Sequence, residues 1–317
     1  MLMNLMMGKA RAVLGKLWDT DAPLTAVGLG HLIILAATGV ALVVDPREIG
    51  GAPAWLKPAK FAASIAIYTL TLAWVFTYLP GWVKTRRVVG WVTAVAMTIE
   101  IVLIDLQAWR GTTSHFNVGT VADMVIFNVM GLAIFTQTLV AAAVAVALWR
   151  QRFADRALGW ALRLGMTATI VGAMTGGLMV RPTRAQLDAV RAGGRMVLSG
   201  AHTVGAPDGG PGISGTGWSR EHGDLRVPHF IGLHALQLIP LVALAFARRG
   251  WHEGRRVGVT LAASASYISL FGLLMWQAFR GQSVTRPDAS TLTALGIWAL
   301  LTAAAMVAMS VRSDPTR

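Results

Sequence analysis

The chain has no cysteine among its 317 residues, only three tyrosines, and 15 acidic residues against 28 Lys and Arg. The missing thiols exclude disulfides, thiolate metal sites and cysteine nucleophiles, and they leave the redox compartment open. The shortage of charge excludes more. With 14% charged and 55% hydrophobic residues, the chain carries more apolar surface than a soluble domain can bury, so it reads as a polytopic membrane protein.

About 20 residues cross a bilayer as a helix. Eight apolar stretches qualify, roughly 23–44, 61–83, 89–109, 124–149, 161–180, 229–247, 257–279 and 290–311. Their continuity favours helices over barrel strands, which alternate in segments of about ten residues. The formal charge of +13 calls for no nucleic-acid partner, because its positions explain it. Lys9, Arg11 and Lys16 precede the first span, Lys84, Arg86 and Arg87 follow the second, and Arg150, Arg152 and Arg156 follow the fourth. Arg248, Arg249, Arg255 and Arg256 lie between spans six and seven, and Arg312 and Arg317 close the chain. Every second connection is basic, which places both termini in the cytoplasm. The first 22 residues read as an interfacial amphipathic lead-in with no cleavable signal. Abundant Ala and Arg with scarce Lys look bacterial, so the expected location is the inner membrane, multi-pass.

Gln107-Ala108-Trp109-Arg110-Gly111 with Ser114 returns as Gln277-Ala278-Phe279-Arg280-Gly281 with Ser283, each closing an apolar run. Pro58-Ala59-Lys60-Phe61 pairs with Val227-Pro228-His229-Phe230, and Ala37-Thr38-Gly39 with Met174-Thr175-Gly176. The expected fold is therefore all-α, eight transmembrane helices as a tandem 4+4 duplication. Each half has an even number of spans, so the pseudo-two-fold axis runs along the membrane normal. The first repeat is 1–157, the second 158–317, and 183–228 is a periplasmic insertion within the second. A surface helix is expected over Thr183 to Ala192, with Leu187 and Val190 on one side. Gly193 to Gly223 has the chemistry of turns.

Glu100 and Asp105 sit in an apolar run, where an ionisable group costs about 2.5–3.5 kcal/mol or more without a partner. At about 1.5 Å per residue from the periplasmic helix ends, Asp105 and His234 lie ~7.5 Å deep, Gln237 ~12 Å and Glu100 ~15 Å. That depth allows an Asp105–His234 contact. His31, ~21 Å below Asp45 on the same scale, falls outside the site. The second half copies neither acid, and the first copies neither His229 nor His234. The chemistry is thus expected where the repeats differ.

The expected catalytic set is Glu100, Asp105, His234 and His229. Gln107, Arg110, Ser114, His115, Asn117, Arg226, Gln237, Gln277 and Arg280 would bind substrate. His115, His202, His229 and His234 form a candidate metal set suited to Zn²⁺ or Fe²⁺ before Cu⁺, although no HExxH or HxxxH pair occurs. Lys57, Lys60, Arg181 and Arg286 read as snorkelling anchors. Arg110 and Arg280 divide between helix capping and anion binding. His222 and Asp224 read as solvated.

Arg181-Pro182, Ser199-Gly200-Ala201-His202 and Ser219-Arg220 resemble the three blocks of the phosphatidic-acid phosphatase family. There, membrane helices separate the last two blocks. Here the two share one loop and Ala201 interrupts the middle block, so no site residue is carried over.

Three functions compete. The first is a membrane enzyme with a periplasm-facing site, using a divalent metal or an Asp105/His234 acid–base pair on a small amphiphilic or anionic substrate, with the insertion as a lid. The second is a proton- or cation-coupled transporter relaying through Glu100 and Asp105; against it, the sequence shows no Gly/Pro-broken helix in matching positions of both halves. The third is a b-type haem or quinone protein, which needs imidazoles at matching depth. Besides substrate, the expected partner is the lipid bilayer.

Overall fold

The computed structural model describes residues 2–311, with side chains from Met7 onward, so Arg312 and Arg317 lie outside the described residues. The protein is all-helical. Among the described residues seven helices are long and apolar enough to cross a membrane, and eight if one bent pair counts as a single span. The chain forms two compact units, one running through Ala147 with Met196–Leu198 added, the other comprising Leu148–Arg195 and the chain from Ser199 on.

Unit 1 contains α1 (Leu2–Thr20), α2 (Ala22–Val44), a short hairpin of β1 (Glu48–Ile49) and β2 (Ala52–Pro53), α3 (Leu56–Phe76), α4 (Val83–Trp109) and most of α5 (Val121–Arg150). Asp21 separates α1 from α2. Its carboxylate accepts the Leu24 N–H at 3.0 Å, satisfying a donor that a helix start otherwise leaves open, and a proline follows in the first turn. The core joins Ala62 and Ile65 of α3 to Met97 and Ile101 of α4, with Val27, Ile34 and Leu35 of α2 and Ile134 of α5 against them. Lipid is as apolar as leucine, so close packing and polar contacts must hold such helices together. Small residues permit it: a Cβ on Gly28 would fall 2.6 Å from Leu70 of α3.

Unit 2 contains α6 (Arg156–Met174), α7 (Gly176–Met179), α8 (Arg184–Arg191), strands β3 (Thr203–Val204) and β4 (Gly223–Asp224), then α9 (Arg226–Leu233), α10 (Ala235–Ala247), α11 (Glu253–Phe279) and α12 (Ala289–Val311). Asp155 caps α6 through the Leu158 N–H at 3.1 Å. The expected surface helix is α8, started by a capping box between Thr183 and Gln186, with Leu187 and Val190 exposed. Ala161 of α6 packs on Ala235, Ile239 and Ala243 of α10. Two departures from the expected spans matter. The second span starts at Leu56, before the Pro58-Ala59-Lys60 segment, and the sixth is not continuous: α9 and α10 meet at 47° about His234.

Candidate functional site

The repeated motif builds the same helix ending in both units. At the end of α4, Gly111 turns to φ +74, the Thr112 N–H returns to Gln107 O, and Gln107 Nε2 reaches Thr113 O at 3.4 Å. At the end of α11, Gly281 has φ +73, the Gln282 N–H returns to Gln277 O, and Gln277 Nε2 reaches Ser283 O at 3.0 Å. Only glycine adopts that φ without strain, and the long return bond closes the helix. Each arginine then clamps the next helix. Arg110 donates to Asp123 in the first turn of α5 at 2.8 Å, and Arg280 pairs with Asp288 at the start of α12. The Arg280 guanidinium, helped by the Thr291 N–H, holds the Asp288 carboxyl down at about 2.

Several residues expected to bind substrate are therefore bonded within the protein. Gln107 and Arg110 share Asp123, Gln277 closes its loop, and Arg280 is spent on Asp288. Arg226 bonds to Asp224 and to Gly217 O. Asn117 donates to Thr112 Oγ1 and Thr113 O and accepts the Gly119 N–H, so it organises the 111–120 loop.

Glu100 of α4, the loop after that helix and the start of α3 bring three ionisable side chains together in unit 1. His115 lies in that loop with its side chain turned inward. Its Nδ1 is 2.9 Å from Lys57 Nζ at the start of α3 and 3.2 Å from Ser114 Oγ. Its Nε2 is 3.4 Å from Glu100 Oε1. Glu100 is 2% exposed, and its Oε2 finds no hydrogen-bond partner among the described residues. The ammonium of Lys57 can only donate, so Nδ1 is the acceptor and the N–H of the neutral ring points at Glu100. Burial pushes the His115 pKa down, as does the Lys57 charge, while Glu100 opposes both. Phe61 and Phe116 flank the ring at 5.6 and 6.2 Å between centroids. Phe116 has φ 66, rare for a side chain of that size and costing about 1–3 kcal/mol. Asp105, on another face of α4, is half-buried with Oδ1 unbonded among the described residues.

In unit 2 the break at His234 frees backbone groups, and neighbouring helices take them up. Thr169 of α6 accepts the Leu236 N–H at 3.0 Å and donates to Leu233 O at 3.3 Å. Tyr267 of α11 donates to Ile231 O at 2.5 Å. Broken helices survive inside membranes only when such bonds are restored. A second break, at Thr175, lies beside α9. His229 Nδ1 donates to Gly172 O at 2.9 Å, and Thr175 Oγ1, which donates to the same oxygen, is 3.0 Å from that nitrogen. Gly172 and Gly232 let the two backbones touch there, since a Cβ on either would collide with the other residue. His234 packs on Phe230 at 4.3 Å, and one turn on, Gln237 Oε1 is buried without a hydrogen bond among the described residues. The break also means that His229 and His234 do not stand about 140° apart, as five residues of one continuous helix would place them.

The long insertion is organised by two carboxylates. Asp208 accepts the backbone N–H groups of His202 and Thr203 and the His202 ring. Burial raises its pKa, but the His202 ring and those N–H groups outweigh this and hold it well below the usual carboxylate range. Asp224 is 3% exposed, not solvated as its loop position suggested, and binds the Ser219 N–H and Arg226. Met196–Leu198 pairs with the 111–120 loop of unit 1, the Val118 N–H donating to Val197 O at 2.9 Å.

Among the described residues no three His, Cys, Asp or Glu side chains gather as a metal ion requires. The expected set of His115, His202, His229 and His234 instead makes the separate contacts given above. Asp105 and His234 belong to different units. The sequence reading missed Asp123, Thr169, Tyr267 and Asp288, and treated Lys57 as an anchor. Only the acid at the start of the helix after each motif, Asp123 or Asp288, carried a readable signal. No protein-family model matches the chain, and neither the curated proteins nor the solved structures give a match.

Proposed function

We propose that the protein is a proton-coupled membrane transporter in which Lys57, His115 and Glu100 relay protons. One observation carries this reading: a buried span carboxylate is joined through one imidazole to an ammonium at the helix end. The imidazole can take a proton from Lys57 at Nδ1 while releasing the one on Nε2 to Glu100 Oε1; the ring stays neutral but is left as the opposite tautomer with Lys57 as an amine, so a turn of the ring and reprotonation of Lys57 must precede the next transfer. Intramembrane carboxylates are costly, and proton pathways are a principal use for them. The broken α9–α10 span adds support, because discontinuous helices are common at transporter sites. The α3 span in the first half has no such break, so the feature belongs to one half only.

The matched helix endings support a tandem 4+4 duplication with a pseudo-two-fold along the membrane normal. The opposite helix ends agree with it. The N-cap acid Asp21 feels the charge of Arg86, and the N-cap acid Asp155 is bonded by Arg256, which stands 170 residues after Arg86. Basic connections support cytoplasmic termini and a bacterial inner membrane.

Inverted vesicles energised to an acid interior test the reading. Adding members of a solute library should dissipate the pH gradient for at least one solute with the native chain. Glu100→Gln should give no response to it, and a response of native size would refute the relay.

A membrane enzyme keeps one specific observation, the Ser114 Oγ to His115 Nδ1 approach with Glu100 on the other ring nitrogen, an arrangement resembling a nucleophile, base and orienting acid. Covalent labelling of Ser114 by a fluorophosphonate, lost in Ser114→Ala, would favour it over transport.

A further inference from the structure

The polar residues of unit 1 do not stop at Glu100. On α4, Glu100, Thr93 and Arg86 recur every seven residues with Met97 and Gly90 between them, which puts all five within a stripe about 80° wide. On α2, His31 and the cap residue Asp21 approach this stripe. The register of the two helices follows from two contacts. Asp21 lies against Gly90, where a Cβ would strike its carboxylate, and Arg47, just beyond α2, donates to Trp109 O at the far end of α4. The helices therefore run the same way with residue 21 opposite 90. Ten residues on, His31 is level with Glu100. Measuring depth from Asp45 and Arg110 had separated these two by about 6 Å, because it took the two helix ends as level.

His31 Nδ1 donates to its own Val27 O at 2.7 Å, which fixes Nε2 as the acceptor. The ring is near enough to α4 to interact with the Met97 backbone, one turn from Glu100, and its Nε2 has no hydrogen-bond partner among the described residues. Glu100 Oε2, His31 Nε2 and Thr93 Oγ1 are all buried and unbonded among the described residues, in side chains 2%, 3% and 0% exposed. One orphaned polar atom costs about 1–3 kcal/mol. Each of the three needs a partner that the described residues do not supply, and water is the smallest that could reach them past the apolar contacts of Met97.

We infer that unit 1 holds a file of water between α2 and α4, along which protons pass from Glu100 through His31 and Thr93 to the α1 end at Asp21 and Arg86. The inference rests on the relay reading above and supplies the half of the path that reading lacks. His31 takes a proton at Nε2 from the water shared with Glu100 and returns it from the same nitrogen to the water beside Thr93. The Nδ1 proton stays on the ring, donated to Val27 O, throughout.

The cysteine-free chain makes the test direct. Full-length Thr93→Cys and Ala94→Cys are reconstituted in liposomes and exposed, from the α1 side, to a small membrane-impermeant cationic methanethiosulfonate. Ala94 is buried and about 100° round the helix from Thr93. Thr93→Cys should react at least tenfold faster than Ala94→Cys. His31→Gln, which keeps a polar side chain but cannot carry the proton, should lower the pH-gradient response at least tenfold while eluting as folded protein. Equal labelling at the two positions, or a native response in His31→Gln, overturns the inference even if Glu100→Gln is inactive. A native response in Glu100→Gln overturns the relay reading beneath it.

Discussion

Thr169→Val removes one hydroxyl and changes little else in shape, so it isolates what the break at His234 costs. In the native protein that oxygen accepts the Leu236 N–H at 3.0 Å and donates to Leu233 O at 3.3 Å. Both backbone groups lie in a helix interrupted inside an apolar bundle, where no water competes for them. Each group left unbonded costs about 1–3 kcal/mol by soluble-protein measure. Interhelical side-chain hydrogen bonds in membrane proteins average nearer 0.6 kcal/mol, with a ceiling near about 1.7, because the unfolded reference also finds partners. Two bonds then give an expected loss of about 1–3 kcal/mol, against which the added methyl returns at most about 0.8. Reversible unfolding in mixed micelles, followed by far-UV circular dichroism, measures the difference. Thr169→Ser should restore most of it. A valine variant at least as stable as native, or a serine variant as unstable as valine, would refute the claim that Thr169 holds the break.

Gly172→Ala should cost about 1–3 kcal/mol in the same assay, since its Cβ would meet the Gly232 backbone and push α6 from α9; a neutral result would mean that the crossing is not close. Lys57→Met should raise the His115 pKa, because it removes one of the two influences that lower it and leaves burial alone. The native protein should lose stability as pH falls below the unfolded value of 6.5, and the variant should lose less. Imidazole titration by NMR reads the shift, and a fall would refute the assignment. Asp208, held below its unfolded value of 3.8, stabilises the insertion above that pH and loses its effect as pH falls through the folded value. Amide protection over 199–225, after correction for the intrinsic slowing of exchange in acid, should fall at low pH and, at neutral pH, in Asp208→Asn. Unchanged exchange in that variant would show that the loop is held by other contacts.

The helices were legible in the sequence because the bilayer imposes a length and an apolar composition that a linear pattern displays. Charge-poor runs at 23–44, 124–149 and 290–311 became α2, α5 and α12 with small changes at the ends. The motif around Gln107 and Gln277 was legible too, down to the glycine that turns each helix end. Its arginines were not, because their partners Asp123 and Asp288 belong to the next helix and only folding brings them close. The break at His234 was hidden for a related reason: its compensating bonds come from Thr169 and Tyr267, which no local pattern ties to residues 231–236.

The candidate site divides in the same way. By itself the sequence determined that Glu100 must be costly, since a carboxylate in an apolar run needs a partner wherever it lies. Tertiary structure decided which partner, by folding the 111–120 loop inward so that His115 stands between Glu100 and Lys57. It also decided the fate of His31. Depth along one helix is a property of the sequence, but the level of one helix against another is fixed only by contacts such as Asp21 on Gly90, and that register set His31 opposite the acid.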